Sequence, residues 1–308
     1  MAEKPTIKIG HIKITDHLIL GITQYKLHKE TENFQYCNLQ AVPMVGWDYL
    51  GDALKNGEID GAFMLAPYAM ELFHSGLNLK LLLITHKNGS VIIKNKKLNI
   101  EKVEDFKGKT ILIPFHLSIH MMLFDRMLTE KGLETGPGKD VVFDVVAPSQ
   151  IPEVMSWDDD GDIGGFIVAE PYGTQAIKEG TGEIFAYSKD LWPNHPCCVF
   201  VLKDDIIKKY PDAVQELCNS FVKSGILASQ KPDVAAKIGA AFLNQPVDII
   251  QQVLTEPKDR VKTSELLPIL DDLDIIQKYL TDVKSAMSDK IDLEKFVLTD
   301  FAKNAGAK

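Results

Sequence analysis

The sequence predicts an α/β protein of two lobes, each a mixed sheet with flanking helices, followed by a helical C-terminal extension. Three observations lead there. Ile59-Asp60-Gly61-Ala62-Phe63-Met64-Leu65-Ala66-Pro67-Tyr68 aligns without a gap on Ile163-Gly164-Gly165-Phe166-Ile167-Val168-Ala169-Glu170-Pro171-Tyr172, an offset of 104. Each copy reads as a glycine or acidic turn, a short apolar strand, and a Pro-Tyr step into a helix. Short apolar runs alternate with helical periodicity up to Lys203, and beyond it the pattern is almost wholly helical.

Composition narrows the function. The 308 residues are 45% hydrophobic and 25% charged, a globular balance long enough for two α/β units. The formal net charge of -9, with no basic face, excludes nucleic acid as the partner. No apolar run approaches the roughly 18 residues of a membrane span. The four cysteines (Cys37, Cys197, Cys198, Cys218) show no paired CxxC spacing. Buried free thiols are therefore expected, without a disulfide framework or metal.

The elements follow in order. Ile7–Ile14 reads as a strand, and Thr15-Asp16-His17 as the start of a helix. Phe34–Val45 is a second strand, and Asp48 is placed to cap a helix over Tyr49–Asn56 that Gly57 ends. The first repeat strand, a helix over Tyr68–His74 and the strand Leu79–Thr85 complete a first unit. Asn88-Gly89-Ser90 then precedes the β-branched run Val91–Ile93, a strand leaving that unit. The second unit has a strand at Thr110–Pro114, a helix at Ser118–Lys131 with a methionine stripe in the core, and a strand at Val141–Val146. The second repeat strand follows. Cys197–Leu202 is an apolar return crossing, and Pro211, Pro232 and Pro246 open the helices that cover the first lobe. The expected lobes are 1–91 with 197–308, and 92–196, with hinges near 88–93 and 195–200.

In open α/β sheets ligands sit beyond the carboxyl ends of strands. The loops there hold Asp16 and His17, Trp47, Ala66 and Pro67, Asn88, Gly89 and Ser90, His116, Ser118 and His120, Glu170 and Tyr172, and His195. His86 is a fifth histidine beside these ends, and the repeat register sets Asp16 opposite His120.

Asp16-His17 after the first strand, Gly46-Trp47 before a helix, Gly57-Glu58-Ile59-Asp60-Gly61-Ala62 with Ala66-Pro67, Asn88-Gly89-Ser90 and Glu170-Pro171-Tyr172-Gly173 occur in that order. With them, over roughly 7–225, the chain resembles the nitrate/sulfonate/bicarbonate family of ABC-transporter solute-binding proteins, which includes binders of thiamin-precursor pyrimidines. The resemblance implies a two-hinge periplasmic-binding-protein fold of type II. It implies a monomer without a cofactor that closes on a small molecule and hands it to an ABC permease.

The ligand is read from the loops. The only arginines, Arg126 and Arg260, lie in a helix and in the distal helical region, away from the strand ends. A guanidinium fork on an anion or sulfonate is thus not expected. Helix N-terminal amides with Ser118 offer one way to hold an anion. Trp47, Phe115 and Tyr172 stacking on a heteroaromatic ring, with Asp16, Glu170 and the histidines on its polar edge, offer another. Glu170 also reads as a helix cap, Trp47 as packing, and His116 with His120 as a weak metal pair. Asp158-Asp159-Asp160-Gly161-Asp162 reads as a solvated turn. Thiamin-pyrimidine synthases share the implied fold and use a histidine, iron and a cysteine-rich segment, which His195-Pro196-Cys197-Cys198 partly echoes. A cytoplasmic sensor is a third reading. A removed export signal would make the protein periplasmic or extracytoplasmic and membrane-associated, whereas Met1 as native start would place it in the cytoplasm.

Overall fold

The structure is a computed structural model that describes residues 4–308; Met1–Glu3, on which the native-start expectation bears, lie outside the described residues. The strands are β1 (Thr6–His11), β2 (Asn38–Pro43), β3 (Gly61–Leu65), β4 (Leu79–Ile84), β5 (Lys87–Asn88), β6 (Ser90–Asn95), β7 (Lys109–Ile113), β8 (Val141–Val145), β9 (Ile163–Ala169), β10 (Gly182–Tyr187), β11 (Cys198–Lys203) and β12 (Val261–Lys262). They form two five-stranded sheets, ordered β2-β1-β3-β11-β4 and β8-β7-β9-β6-β10, and a small ribbon of β5 with β12.

The sequence repeat is a repeat of topology. In each sheet three parallel strands are followed by one antiparallel strand that has just crossed from the other half: β11 beside β3, and β6 beside β9. These inner strands are covered on both faces. That is why β3 and β11 read as unbroken apolar runs rather than alternating ones.

The first core is anchored by Phe63, Phe200 and Phe221, whose ring centroids lie 5.0–5.4 Å apart. Phe221 belongs to the helix Pro211–Gln230, which opens on its proline as expected. The second core is anchored by Phe106, Phe124 and Phe143 on and around the helix Ile119–Thr129.

Several local expectations change. β1 ends at His11, and Ile12–Ile14 turn toward the other half, where the Thr15 backbone N–H donates to the Glu170 carbonyl (2.8 Å). The helix expected over Tyr49–Asn56 begins at Trp47, so Asp48 lies inside its first turn. There its charge favours the helix N-terminus without acting as the cap, which is Gly46. Asp158 turns the acidic loop by accepting from the N–H groups of Gly161, Asp162 and Ile163.

The C-terminal region does more than cover the first lobe. Asp125, buried on the Ile119–Thr129 helix, accepts from the Tyr279 hydroxyl (2.9 Å) and the Lys284 ammonium (2.7 Å). The extension therefore straps the second sheet as well as the first. Removing this carboxylate leaves the buried Tyr279 hydroxyl without its acceptor and the Lys284 ammonium without its counter-charge, so Asp125→Ala should lower unfolding free energy by about 3 kcal/mol in urea titration. Unchanged stability would show that the strap carries no energy.

Candidate functional site

The chain passes between the sheets twice, between Ile84 and Ser90 and between Tyr187 and Cys198, and the two passages run side by side. Lys87 bridges to Pro196, and the Asn88 N–H donates to the His195 carbonyl (3.0 Å). The Asn88 side chain accepts from the Asn194 N–H (2.9 Å) and donates to the Asp259 carbonyl (2.9 Å). Asn88 thus pins both passages together instead of facing a cleft. It holds a left-handed backbone (φ 63°), as does Gly89 (φ 93°). At Gly89 a Cβ would stand 3.0 Å from His86 Nδ1 and 3.2 Å from Asp16 Oδ1, so a side chain there would crowd this pair as well as strain the left-handed backbone.

Behind these passages lies a buried polar knot. Asp16 Oδ2 and His86 Nε2 are 2.9 Å apart, both side chains fully buried. Cys198 Sγ is 3.6 Å from Asp16 Oδ2, and Cys197 Sγ is 4.0 Å from His120 Nε2. His120 also meets the Ser90 hydroxyl at 2.9 Å. The register that set Asp16 opposite His120 thus delivers both to one cluster from different sheets. One donor atom each from Asp16, His86, Cys197 and Cys198 lie within 4.8 Å of one another, a set able to hold a metal ion. All four cysteines are free and buried.

The charges follow from burial and pairing. Burial pushes the Asp16 carboxyl up to about 6 although His86 draws it down. For His86 burial acts to lower the pKa, but the Asp16 carboxylate prevails and raises it to about 10. The pair is therefore an imidazolium–carboxylate at neutral pH. A hydrogen bond from Cys198 holds the Cys197 thiol well below the ordinary range, whereas burial drives Cys198 well above it. Burial lowers His17, and takes His195 down to about 4, so both rings are neutral.

Among the described residues the buried side-chain polar atoms without a partner are concentrated here. They are Asp16 Oδ1, His17 Nε2, Trp47 Nε1, Thr85 Oγ1, His86 Nδ1, His120 Nδ1, His195 Nε2 and Arg260 Nε. An unpaired buried polar group costs about 1–3 kcal/mol, so this concentration marks a site shaped for something other than its own stability.

Arg260 reverses one expectation. Far from being distal, it folds back, 3% exposed, and its guanidinium pairs with Glu170 and donates to the Thr174 hydroxyl (2.7 Å). Glu170 also accepts from the Thr174 N–H (3.0 Å), the helix-capping role weighed for it. Its carboxylate is thereby committed. Ser118 is committed too: it donates to the Phe115 carbonyl (2.6 Å) and caps its helix by accepting from the Met121 N–H (3.1 Å). His116 is exposed in the turn before that helix while His120 is buried, so the two do not form a pair. Ala66 and Pro67 are buried in a helical first turn, where the Ala66 N–H donates to the Cys197 carbonyl (3.0 Å).

Two clefts open along the seam. One, of about 480 Å³, is lined by Trp47, Tyr49, Phe115 and Gln150 among others. The other, of about 450 Å³, includes Lys13, Tyr172, Gln175 and Asn244. The Tyr172 hydroxyl donates to the Lys13 carbonyl (2.8 Å), so the expected aromatic trio is split: Trp47 and Phe115 share one mouth and Tyr172 the other. Trp47 reaches inward from its mouth, its ring edge-on to His17 at 5.9 Å.

Residues 1–243 match the NMT1-like family. The chain belongs to that family. The nitrate import ATP-binding protein NrtC of Synechocystis sp. is 27% identical over 224 residues, 68% of this chain and 33% of that protein. The nitrate/nitrite binding protein NrtA of Nostoc sp. is 26% identical over 243 residues, 72% of this chain and 53% of that one. The chain thus spans a third to about half the length of these relatives. The zinc-bound ligand binding component of an ABC-type import system from Staphylococcus aureus superposes with a TM-score of 0.86 at 25% identity, covering 98% of this chain and 99% of that one. The architecture is the α/β periplasmic-binding-protein fold that the resemblance to nitrate/sulfonate/bicarbonate solute-binding proteins implied.

His86, Cys197, Cys198 and Arg260 are the site groups that sequence reasoning left out of its ligand set. His86 carried a signal, its place at a strand end. Arg260 carried none, since it lies 90 residues from its partner in an aperiodic stretch. Glu170→Ala should destabilise the protein by about 3–5 kcal/mol, because a buried guanidinium loses its counter-charge. Glu170→Leu combined with Arg260→Met should recover most of that loss in the same urea titration. Equal stability of Glu170→Ala and wild type would refute the pairing.

Proposed function

We propose that this protein is the solute-binding component of an ABC importer. It acts outside the cytoplasmic membrane as a non-catalytic monomer that captures a small polar solute between its lobes. The observation that carries this reading is the concentration of unpartnered buried polar atoms where the two sheets and both passages meet. Family membership supports it, as do relatives described as a nitrate/nitrite binding protein and as an import-system ligand binding component. No helix among the described residues is long and apolar enough to cross a membrane, which accords with a separate permease partner.

In this reading 1–91 with 197–308 moves against 92–196 about 88–93 and 195–200. The solute is read by Asp16, His17, Trp47, His120 and His195, with Ala66, Pro67, Asn88, Gly89, Ser90 and Tyr172 shaping and hinging the site. Asp16, His120 and His195 are inaccessible in the present arrangement, so the lobes must part for entry. Closing then satisfies contacts from both sides, and binding shifts the open–closed population.

A thermal-shift screen of nitrate, bicarbonate, alkanesulfonates and pyrimidines should yield one stabilising class, since only the folded form binds. Small-angle scattering should then show a smaller radius of gyration with that compound. Trp47→Phe keeps a ring but removes the indole N–H, and should weaken calorimetric affinity about 10- to 100-fold. A compound that binds without compaction, and equally well to Trp47→Phe, would sink the proposed site.

A further inference from the structure

The donor set behind the hinge goes beyond solute capture. We propose that Asp16, His86, Cys197 and Cys198 form a binding site for a thiophilic divalent metal ion of the Zn²⁺ class. The four donors come from three places in the chain: the loop after β1, the first passage and the start of β11. Two sulfurs, one imidazole nitrogen and one carboxylate oxygen are the ligand types that select zinc over the hard cations, which prefer all-oxygen shells.

The distances suit a tetrahedral ion. Zinc bonds of about 2.0–2.3 Å set donor–donor edges of roughly 3.3–3.8 Å. The closest pairs already stand at 2.9 Å (Asp16 with His86) and 3.6 Å (Cys198 with Asp16), and the whole set lies within 4.8 Å. Small side-chain shifts suffice. Gly89 keeps the space beside His86 and Asp16 free of a Cβ. His120, contributed from the second sheet's helix and 4.0 Å from Cys197, faces the set from across the seam. Binding displaces the protons held by His86 and by the Cys198 thiol and ties both passages to the loop after β1, so the ion would stiffen the hinge.

The test uses the full chain, reduced and stripped with a chelator, titrated with Zn²⁺ against a chromophoric competitor. One equivalent should bind. Cys197→Ser, Cys198→Ser and His86→Ala should each weaken binding by about 100-fold, while Cys218→Ala, a buried thiol elsewhere in the first lobe, should not. Because a variant in so buried a knot can fail to fold, two wild-type readouts stand beside them. Co²⁺ should give a thiolate-to-metal charge-transfer band with tetrahedral ligand-field intensity. Zn²⁺ should protect Cys197 and Cys198, but not Cys37 or Cys218, from thiol labelling during partial denaturation.

A Co²⁺ spectrum without the thiolate band, or Zn²⁺ affinity equal in wild type and the folded cysteine variants, overturns the proposal. Solute binding by the stripped protein with no Zn²⁺ uptake overturns the metal site and leaves the importer reading standing. Zn²⁺ uptake with no responding solute has the converse meaning.

Discussion

An exchange of strands constrains everything else in this molecule. β6 leaves the first half to complete the second sheet, and β11 returns to complete the first. Two passages must therefore run beside one another between the sheets, and the groups on them are buried from all sides. Polar residues cannot find water there, so each must find a partner or remain unpaired. Asn88 solves the backbone problem by bonding to the other passage and to the C-terminal region. The imidazoles at the same level do not reach full satisfaction. Among the described residues the fold accepts that cost chiefly where both halves meet.

The Arg260–Glu170 pair sets the terms on which the halves meet. Arg260 sits on the C-terminal side, Glu170 at the end of β9, and the Glu170 carbonyl takes the Thr15 N–H and hydroxyl from the first half. One residue thus gathers the first lobe, the second lobe and the extension. Its charge is neutralised by arginine, as that of Lys87 on the first passage is by Glu265, so Asp16 and His86 carry the charge pair at the centre of the knot. The chemistry of the site is consequently that of an imidazolium–carboxylate pair beside two sulfurs, rather than that of a guanidinium fork awaiting an anion.

Much of this was legible in the sequence. The repeat at Ile59 and Ile163 located equivalent strands, and apolar runs of five or six residues located the strands buried on both faces. Strand-end logic found Asp16, His17, Trp47, His120 and His195, which the fold does bring to one seam. It also selected Ser118 and Glu170, whose hydrogen bonds turn out to serve their own helices, because capping and ligand recognition draw on the same residue types. His86, Cys197 and Cys198 join Asp16 only through the antiparallel contact of the passages, which no local pattern encodes. Arg260 was hidden for a related reason: the stretch from Glu256 to Ile269 has little regular structure, so its direction could not be read from periodicity.

The exchange of strands also bears on how the chain is made. The second sheet draws on a single uninterrupted stretch, Ser90–Tyr187, whereas the first lacks an inner strand until Lys203 has been synthesised. Although the first half emerges earlier from the ribosome, it is the later segment that can assemble its complete sheet first. The amino-terminal region must meanwhile wait with the flank of β3 unpaired, an exposed edge of the kind that invites mispairing.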